Sequence, residues 1–268
     1  LCTTGTLTGF AFNAGTHTWS WTCAGQFGGN NPVCSVSELY CGDGDIYTGA
    51  ISNIVSQDRS SFTVGDDTSD DAEISFDDKF VVFESFATNL DTVTNGRNHI
   101  MLYEKATNDI LNITDDADEH SFNTSVSNDG EWIVFESTAT TWWNNGLNNI
   151  ILYDVQNDSY NNITYNGGAN DSSYNPTISD DGLYIAFETR ATTWNSDWDR
   201  EIIRYDIQNN YFESITFKSF NGFDATNPSI SADGQKIVYQ VGTNDIYLDY
   251  IWNGRFHITN DTSSDNIN

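Results

Sequence analysis

The sequence predicts an all-β protein, a β-propeller built from four-stranded blades, and three observations lead to that prediction. Short runs rich in Val, Ile, Phe and Tyr alternate with Asn, Asp and Gly turns, and long helical periodicity is absent. A hairpin signature recurs every 52 residues, marked by Ser75, Ser127, Ser179 and Ser231. Four β-runs per copy at a period near 50 residues are typical of propeller blades, whereas a β-sandwich requires no such regular repeat.

Each copy of the repeat contains the same elements in the same order. The first two strands form a hairpin, written as "ISFDDKFVVFES", "VSNDGEWIVFES", "ISDDGLYIAFET" and "ISADGQKIVYQV". A third apolar strand such as "NIILYD" follows a variable polar loop, and a fourth strand ends in Ile-Thr. Because Gly and Asn tolerate left-handed backbone, the Asp-Gly pairs predict tight turns. The first copy has Asp78-Lys79 where the others have Asp-Gly, which leaves its turn type open.

The two ends of the repeat array look incomplete. Residues 45–64 resemble the second half of a blade, and residues 260–268 resemble the start of a first strand. The four repeats and this partial blade define a predicted propeller over residues 44–268. An uncovered strand edge invites pairing with another chain. The incomplete ends could therefore reflect completion by a second chain, a truncation or an open ring.

The segment before the propeller is rich in cysteine. Cys2, Cys23, Cys34 and Cys41 all lie in the first 41 residues, and the rest of the chain has none. An even number in so short a segment predicts two disulfides in a small exported β module, residues 1–43, with three pairings open. A metal knuckle is the alternative, but the close CxxC spacing and the nearby His that zinc sites use are missing.

The composition limits the classes of partner. The 268 residues include 39 Asp and Glu but only 10 Lys and Arg, for a formal charge of −29. Such a surface repels phosphates, so we expect no nucleic-acid partner. We also expect no membrane insertion, because no apolar run approaches the roughly 18 residues that span a bilayer.

Two stretches resemble known bacterial modules. "NPTISDDGLYIAF" followed by "IIRYDIQNNYFESIT", and the matching segments of the other copies, resemble the TolB-like or WD40-like propeller repeat of bacterial exported proteins, over about residues 62–259. "WSWTCAGQFGGNNPVC" is similar to a small Cys-containing module of bacterial cell-surface proteins. The two resemblances imply an exported bacterial protein, extracellular or at the cell surface.

Motifs for catalysis are missing from the sequence. It has no Gly-x-Ser-x-Gly elbow, no His-Glu-x-x-His and no phosphate-binding Gly loop. Glu84, Glu136 and Glu188 recur at the repeat interval, and glycosidases do use two carboxylates. Residues repeated in every blade usually serve the blade itself, so we predict that the protein is not an enzyme.

A second repeated position carries polar side chains at the head of the innermost strand. Asp71, Asn123, Asn175 and Asn227 occupy it. Such side chains cap turns by bonding to the backbone. The alternative is a ring of oxygens at the mouth of the channel that holds a cation or a water molecule.

Acidic residues at alternate positions suggest a weak calcium site, although solvated turns are the preferred interpretation. "GDDTSDD" contains one such group and "NDTSSDN" another, without the Gly and distal Glu of an EF-hand loop. No other cofactor is predicted. The candidate ligands are Asp66, Asp70, Asp71, Asp261 and Asp265.

Tryptophans mark the loops between the second and third strands of two adjacent blades. They are Trp142, Trp143, Trp194 and Trp198. Exposed in a polar loop, their amphipathic rings would form a contact surface for a protein or a sugar. The alternative is that the rings fold back over the blade.

These observations predict a non-enzymatic propeller at the cell surface that acts in protein–protein interaction or as a structural subunit. Its incomplete ends suggest self-assembly into a fibre or surface layer. The predicted partners are other copies of the chain or another surface protein. The alternative is a lectin-like propeller that binds glycan through the Trp loops, and a glycosidase or lyase is less favoured.

Overall fold

A computed structural model describes the chain over residues 6–13, 18–24, 33–37, 57–58, 63–91, 96–142, 146–194, 199–216, 222–243 and 245–259. The chain divides into two compact units, Leu1–Ser52 and Asn53–Asn268. The predicted boundary after residue 43 lies outside the described residues. No helix in the described ranges is long and apolar enough to cross a membrane.

The first unit contains a three-stranded antiparallel sheet with its strands in sequential order. The central strand pairs with both neighbours, so that Thr18 lies opposite Asn13 on one side and Ser37 on the other. Cys23 lies in the second strand and Cys34 in the third, whereas Cys2 and Cys41 lie outside the described residues, so the two disulfides stay a prediction. The strands are β1 (Thr6–Asn13), β2 (Thr18–Ala24) and β3 (Val33–Ser37).

Within its described residues, the second unit contains four four-stranded antiparallel sheets, each with its strands in sequential order, which confirms the predicted propeller blades. Blade 1 comprises β6 (Ser69–Ile74), β7 (Phe80–Ser85), β8 (His99–Glu104) and β9 (Asp109–Asn112). Blade 2 comprises β10 (Ser121–Val126), β11 (Trp132–Ser137), β12 (Asn149–Asp154) and β13 (Ser159–Asn162). Blade 3 comprises β14 (Ser173–Ile178), β15 (Tyr184–Thr189), β16 (Glu201–Asp206) and β17 (Tyr211–Ser214). Blade 4 comprises β18 (Ala225–Ile230), β19 (Lys236–Val241), β20 (Asp245–Tyr250) and β21 (Gly254–His257).

Short elements complete this unit. A 3₁₀ turn, Thr140–Trp142, follows β11, and a single helical turn, Ile163–Asn166, follows β13. Ahead of blade 1, β4 (Gln57–Asp58) pairs with β5 (Thr63–Val64) as a two-stranded ribbon. The rest of the predicted partial blade, including residues 260–268, lies outside the described residues.

Apolar side chains between consecutive sheets hold the blades together. One face of blade 1 contributes Val82 and Ile100, and the facing side of blade 2 contributes Ile133, Phe135 and Ile151, all at 0–1% exposure. Equivalent clusters join blade 2 to blade 3 and blade 3 to blade 4. Full burial of one such side chain stabilises the fold by about 1.5–3 kcal/mol, so these interfaces supply most of the stability.

The first hairpin of each blade closes through a serine and an aspartate. In blade 2, Ser127 Oγ donates to Asp129 Oδ1 at 2.7 Å and accepts from the Trp132 backbone N–H at 3.0 Å. Blade 1 forms the same turn, because Asp78 adopts φ = 59° where Gly130 has φ = 72°. The turn type that the sequence left open for blade 1 is therefore the same as in the other blades.

The turn glycines also contact the preceding blade. A Cβ added to Gly130 would lie 2.2 Å from Phe80, and one added to Gly234 would lie 2.1 Å from Tyr184. Real Cβ atoms do not approach so closely, and both glycines have positive φ. The hairpin and the blade junction therefore require glycine at these positions for two separate reasons.

Substituting Gly234 with alanine tests this double requirement. We expect Gly234→Ala to lose about 3 kcal/mol of unfolding free energy, because left-handed strain adds to overpacking against Tyr184. Gly168→Ala is the matched control, since Gly168 has φ = 78° and open space around it. It should lose only about 1 kcal/mol. Equal losses for the two variants in urea unfolding would show that the close packing contributes nothing.

Candidate functional site

The four innermost strands share an irregularity at the residue that the sequence singled out. Asp71, Asn123, Asn175 and Asn227 have φ between 46° and 52°, and the pairing register shifts at each of them. Asn and Asp enter this left-handed region more easily than other residues with a side chain. At each bulge the extra residue breaks the regular alternation of the strand, so its side chain is aimed differently from those of its neighbours.

Side-chain amides at these bulges form a ladder from blade to blade. Asn123 Nδ2 donates to Asn175 Oδ1 at 3.2 Å. Asn175 Nδ2 in turn donates to Asn227 Oδ1 at 3.3 Å. The ladder therefore has a direction, with each amide donating to the following blade. The sequence predicted side-chain bonds to the backbone at these positions, whereas these amides bond to each other across blades.

Directly behind the ladder lies a column of buried glutamates. Glu84, Glu136 and Glu188 are exposed by only 4%, 1% and 0%. Glu136 Oε1 accepts from the Asn175 backbone N–H at 3.2 Å, and Glu188 Oε2 accepts from that of Asn227 at 2.8 Å. Glu84 Oε1 accepts in the same way from Asn123. Each carboxylate thus binds its own blade to the next through the bulged residue.

A side chain from the loop before the third strand also reaches each glutamate. Asn98 Nδ2 donates to Glu84 Oε2 at 2.6 Å, and Asn148 Nδ2 donates to Glu136 Oε2. In blade 3 the corresponding residue is Arg200, whose guanidinium pairs with Glu188. Sequence reasoning missed these three residues, although each directly precedes the third strand.

The three glutamates of the column have different electrostatic surroundings. Burial raises the pKa of Glu84 to about 7, and hydrogen bonds from Asn98 and Asn123 only partly offset that effect. Burial also raises the pKa of Glu136 above its ordinary value. Both of these carboxyls have neutral side-chain partners, whereas Glu188 has a cation.

The inner strands surround a cavity of about 380 Å³ on the axial side of the blades. Asp71, Glu73 and the three ladder asparagines line it with polar groups, and Ala72, Thr124, Pro176 and Pro228 complete the lining. This cavity brings together all four bulged residues that the sequence singled out. It is the candidate functional site.

The predicted calcium ligands do not come together in the described part of the chain. Asp66 accepts from the Thr88 backbone N–H at 2.6 Å and from Thr88 Oγ1 at 2.7 Å, and these hydrogen bonds lower its pKa. Asp118 and Thr140 repeat this contact in blade 2. Asp66 therefore fastens a loop, as Asp118 does.

The remaining aspartates leave calcium binding a prediction. Asp70 and Asp71 are exposed on β6, and Asp261 and Asp265 lie outside the described residues. In the described ranges, no group of three or more His, Cys, Asp or Glu side chains is placed to hold a metal ion.

Two of the four loop tryptophans pack onto their own blades. Trp142 is only 4% exposed, and its ring lies 4.9 Å from that of Tyr160 and 5.7 Å from that of Phe135. Trp194 is half-buried and stacks on Phe212 at 4.5 Å. For these two the alternative of folding back over the blade is correct. Trp143 and Trp198 lie outside the described residues, so a contact role for them stays a prediction.

Comparisons with known proteins give the fold and no family. No family model matches the chain, and no curated protein matches it. Among solved structures, a prolyl endopeptidase matches with 9% identity and a TM-score of 0.50 over 95% of this chain and 36% of that one. This likeness agrees with the propeller blades and shows the fold alone. The resemblance to TolB-like repeats stays a prediction.

Two further solved structures have lower TM-scores. The tricorn protease is 15% identical, with a TM-score of 0.44 over 65% of this chain and 17% of that one. A nidogen/laminin complex is 9% identical, with a TM-score of 0.49 over 69% of this chain and 62% of that one. The chain spans less than two thirds of the length of each of these three structures.

Glu84→Gln tests the electrostatics of the column. A folded pKa of about 7, above the ordinary 4.5, means that the stability Glu84 contributes is complete below pH 4.5 and is lost as the pH rises through 7. Glutamine stays neutral and can still accept from the Asn123 N–H. We therefore expect the fall in unfolding free energy between pH 5 and 8 to shrink by on the order of 2 kcal/mol.

Glu131→Gln is the control for this measurement, because Glu131 is exposed at the hairpin turn of blade 2. Its pH profile should follow that of the wild type. A Glu84→Gln profile that is parallel to the wild-type profile in urea unfolding from pH 5 to 8 would contradict the raised pKa.

Proposed function

We propose that this chain is a non-catalytic, exported propeller that works through protein–protein contact, and that it joins other copies of itself through its terminal blades. One observation carries the proposal. The face of blade 4 that corresponds to a buried junction in every earlier blade is left partly open.

Equivalent residues in blades 2 and 4 show the difference. In blade 2, Val134, Ile150 and Leu152 are exposed by 0–3%, because blade 3 covers them. Their counterparts in blade 4, Val238, Ile246 and Leu248, are only half-buried. Phe256 lies opposite Leu248 in the sheet and is 55% exposed. Contiguous apolar surface of this kind on a soluble domain marks a contact site.

The innermost strand of blade 1 shows the complementary feature. Ile74 is 56% exposed, whereas its counterparts Val126 and Ile178 are exposed by 6% and 5% in the later blades. Phe76, at the turn that follows, is 82% exposed. The first blade thus offers the half of a junction that the last blade lacks.

The repeated polar residues also match across such a junction. Blade 4 has Gln240 at the glutamate position, and blade 1 has Asp71 at the asparagine position. A glutamate at 240 would place two carboxylates together where blade 4 meets blade 1 of a second copy. The amide removes that repulsion and keeps an acceptor for the Asp71 backbone N–H. Head-to-tail contact of this kind closes a ring or extends a fibre.

A non-catalytic role is supported by the use of the repeated carboxylates. Catalysis needs a group that is placed to act on a substrate, with a base or an acid beside it. Each repeated glutamate instead uses a carboxylate oxygen to accept a hydrogen bond from a backbone N–H of the next blade. We favour a protein partner over glycan because Trp142 and Trp194 pack onto their blades.

Self-association should rise with protein concentration and with salt. The charge of −29 makes copies repel one another, and salt screens that repulsion. Phe256→Glu should weaken association at least about tenfold, since it places a charge in the apolar face. Tyr211→Glu is the matched control, because Tyr211 is 61% exposed on the outer strand of blade 3.

Analytical ultracentrifugation of the wild type and both variants measures this directly. The proposal expects association in the wild type and in Tyr211→Glu, and its loss in Phe256→Glu. A monodisperse wild-type monomer at every concentration and salt level, with and without calcium, would overturn it.

A further inference from the structure

The amide ladder on the propeller axis is interrupted at its first member. Asn175 and Asn227 each accept from the amide of the preceding blade. Asn123 Oδ1 is therefore in position to accept from residue 71, which has the same bulged backbone. Residue 71 is aspartate, and an ionised carboxylate has no hydrogen to donate.

By the equivalence of the repeats, two acceptors would thus face each other where the other blades pair a donor with an acceptor. Neither the Asp71 carboxylate nor Asn123 Oδ1 has a hydrogen-bond partner within the part of the chain that the structure describes. A carboxylate beside an amide oxygen favours a ligand that carries positive charge and several hydrogens.

The surrounding cavity is small and has apolar walls. Pro176 and Pro228 give the cavity apolar sides. Its volume of about 380 Å³ is near the small end of ligand pockets, which run from roughly 300 to 1,000 Å³. One side chain or small amine fits this space better than an oligosaccharide does.

We infer that this cavity binds a primary ammonium group on an apolar stem, as in a lysine side chain of a partner protein. An ammonium has three donors, and the Asp71 carboxylate and Asn123 Oδ1 offer acceptors for them. The methylenes of the stem lie against the prolines. Calcium fits less well, because it takes six to eight oxygens and the cavity offers few carboxylates.

The charge of the whole chain favours this ligand. A formal charge of −29 attracts cations and accelerates their encounter with the acidic axis. The site shares Asp71 with the proposed junction between copies but does not include Phe256, so Phe256→Glu separates the two proposals.

Calorimetric titration with Nα-acetyl-lysine methylamide tests the inference. The wild type should bind this probe, whereas Nα-acetyl-norleucine methylamide, which lacks the ammonium, should not bind. A parallel titration with cadaverine distinguishes a peptide lysine from a free diamine, because the peptide probe should bind more tightly if a protein is the partner.

Asp71→Asn should weaken binding at least about tenfold. It should raise or preserve the melting temperature, because an asparagine completes the ladder. Asp70→Asn makes the same charge change at the neighbouring residue, which does not line the cavity, and should bind within about twofold of wild type. Phe256→Glu should bind normally.

Three results would overturn the inference. They are no binding of either amine by the wild type at 10 mM or so, an equal loss in Asp70→Asn and Asp71→Asn, or complete displacement of the lysine probe by equimolar calcium. The second result would reduce the effect to diffuse charge, and the third would assign the site to a metal ion.

Discussion

The junction between blades depends on one buried polar contact, in which a glutamate accepts from the backbone N–H of a left-handed asparagine in the next blade. The asparagine can expose its N–H in this way only because the inner strand bulges there. The carboxylate is nearly free of solvent, so leaving it unpaired would cost far more than the bond itself contributes. This contact fixes the register of each blade on the next.

The apolar clusters supply most of the stability of a junction, and the polar contact supplies its geometry. Val82 and Ile100 can pack against many apolar surfaces. The Glu84 carboxylate has a backbone donor on one side and Asn98 on the other, and only one relative placement of the two blades satisfies both hydrogen bonds. The two places where the repeat changes, Asp71 and Gln240, are therefore informative. They belong to the ends of the described array, where a junction needs a second partner, and to the axis, where the amide ladder is interrupted.

The sequence was sufficient to predict the blades because each copy repeats its own strand pattern and its Asp-Gly turn. It also placed the glutamates and the bulged residues at corresponding positions. The sequence does not predict which side chains those residues contact. Asn98 and Asn148 are 50 rather than 52 residues apart, and blade 3 has Arg200 instead of an amide, so no letter recurs at the repeat interval. Which side chain faces Glu84 depends on loop length. Trp142 looked like a loop residue because the pattern does not show that Tyr160 lies beneath it.

Hydrogen exchange at the bulged residues tests the central contact most directly. In the wild type the backbone amides of Asn175 and Asn227 should both exchange slowly, since Glu136 and Glu188 hold them. Glu136→Ala should speed exchange at Asn175 by at least about tenfold and leave Asn227 slow. Unchanged exchange at Asn175 in that variant would contradict the account, because the junction would then be fixed without the carboxylate.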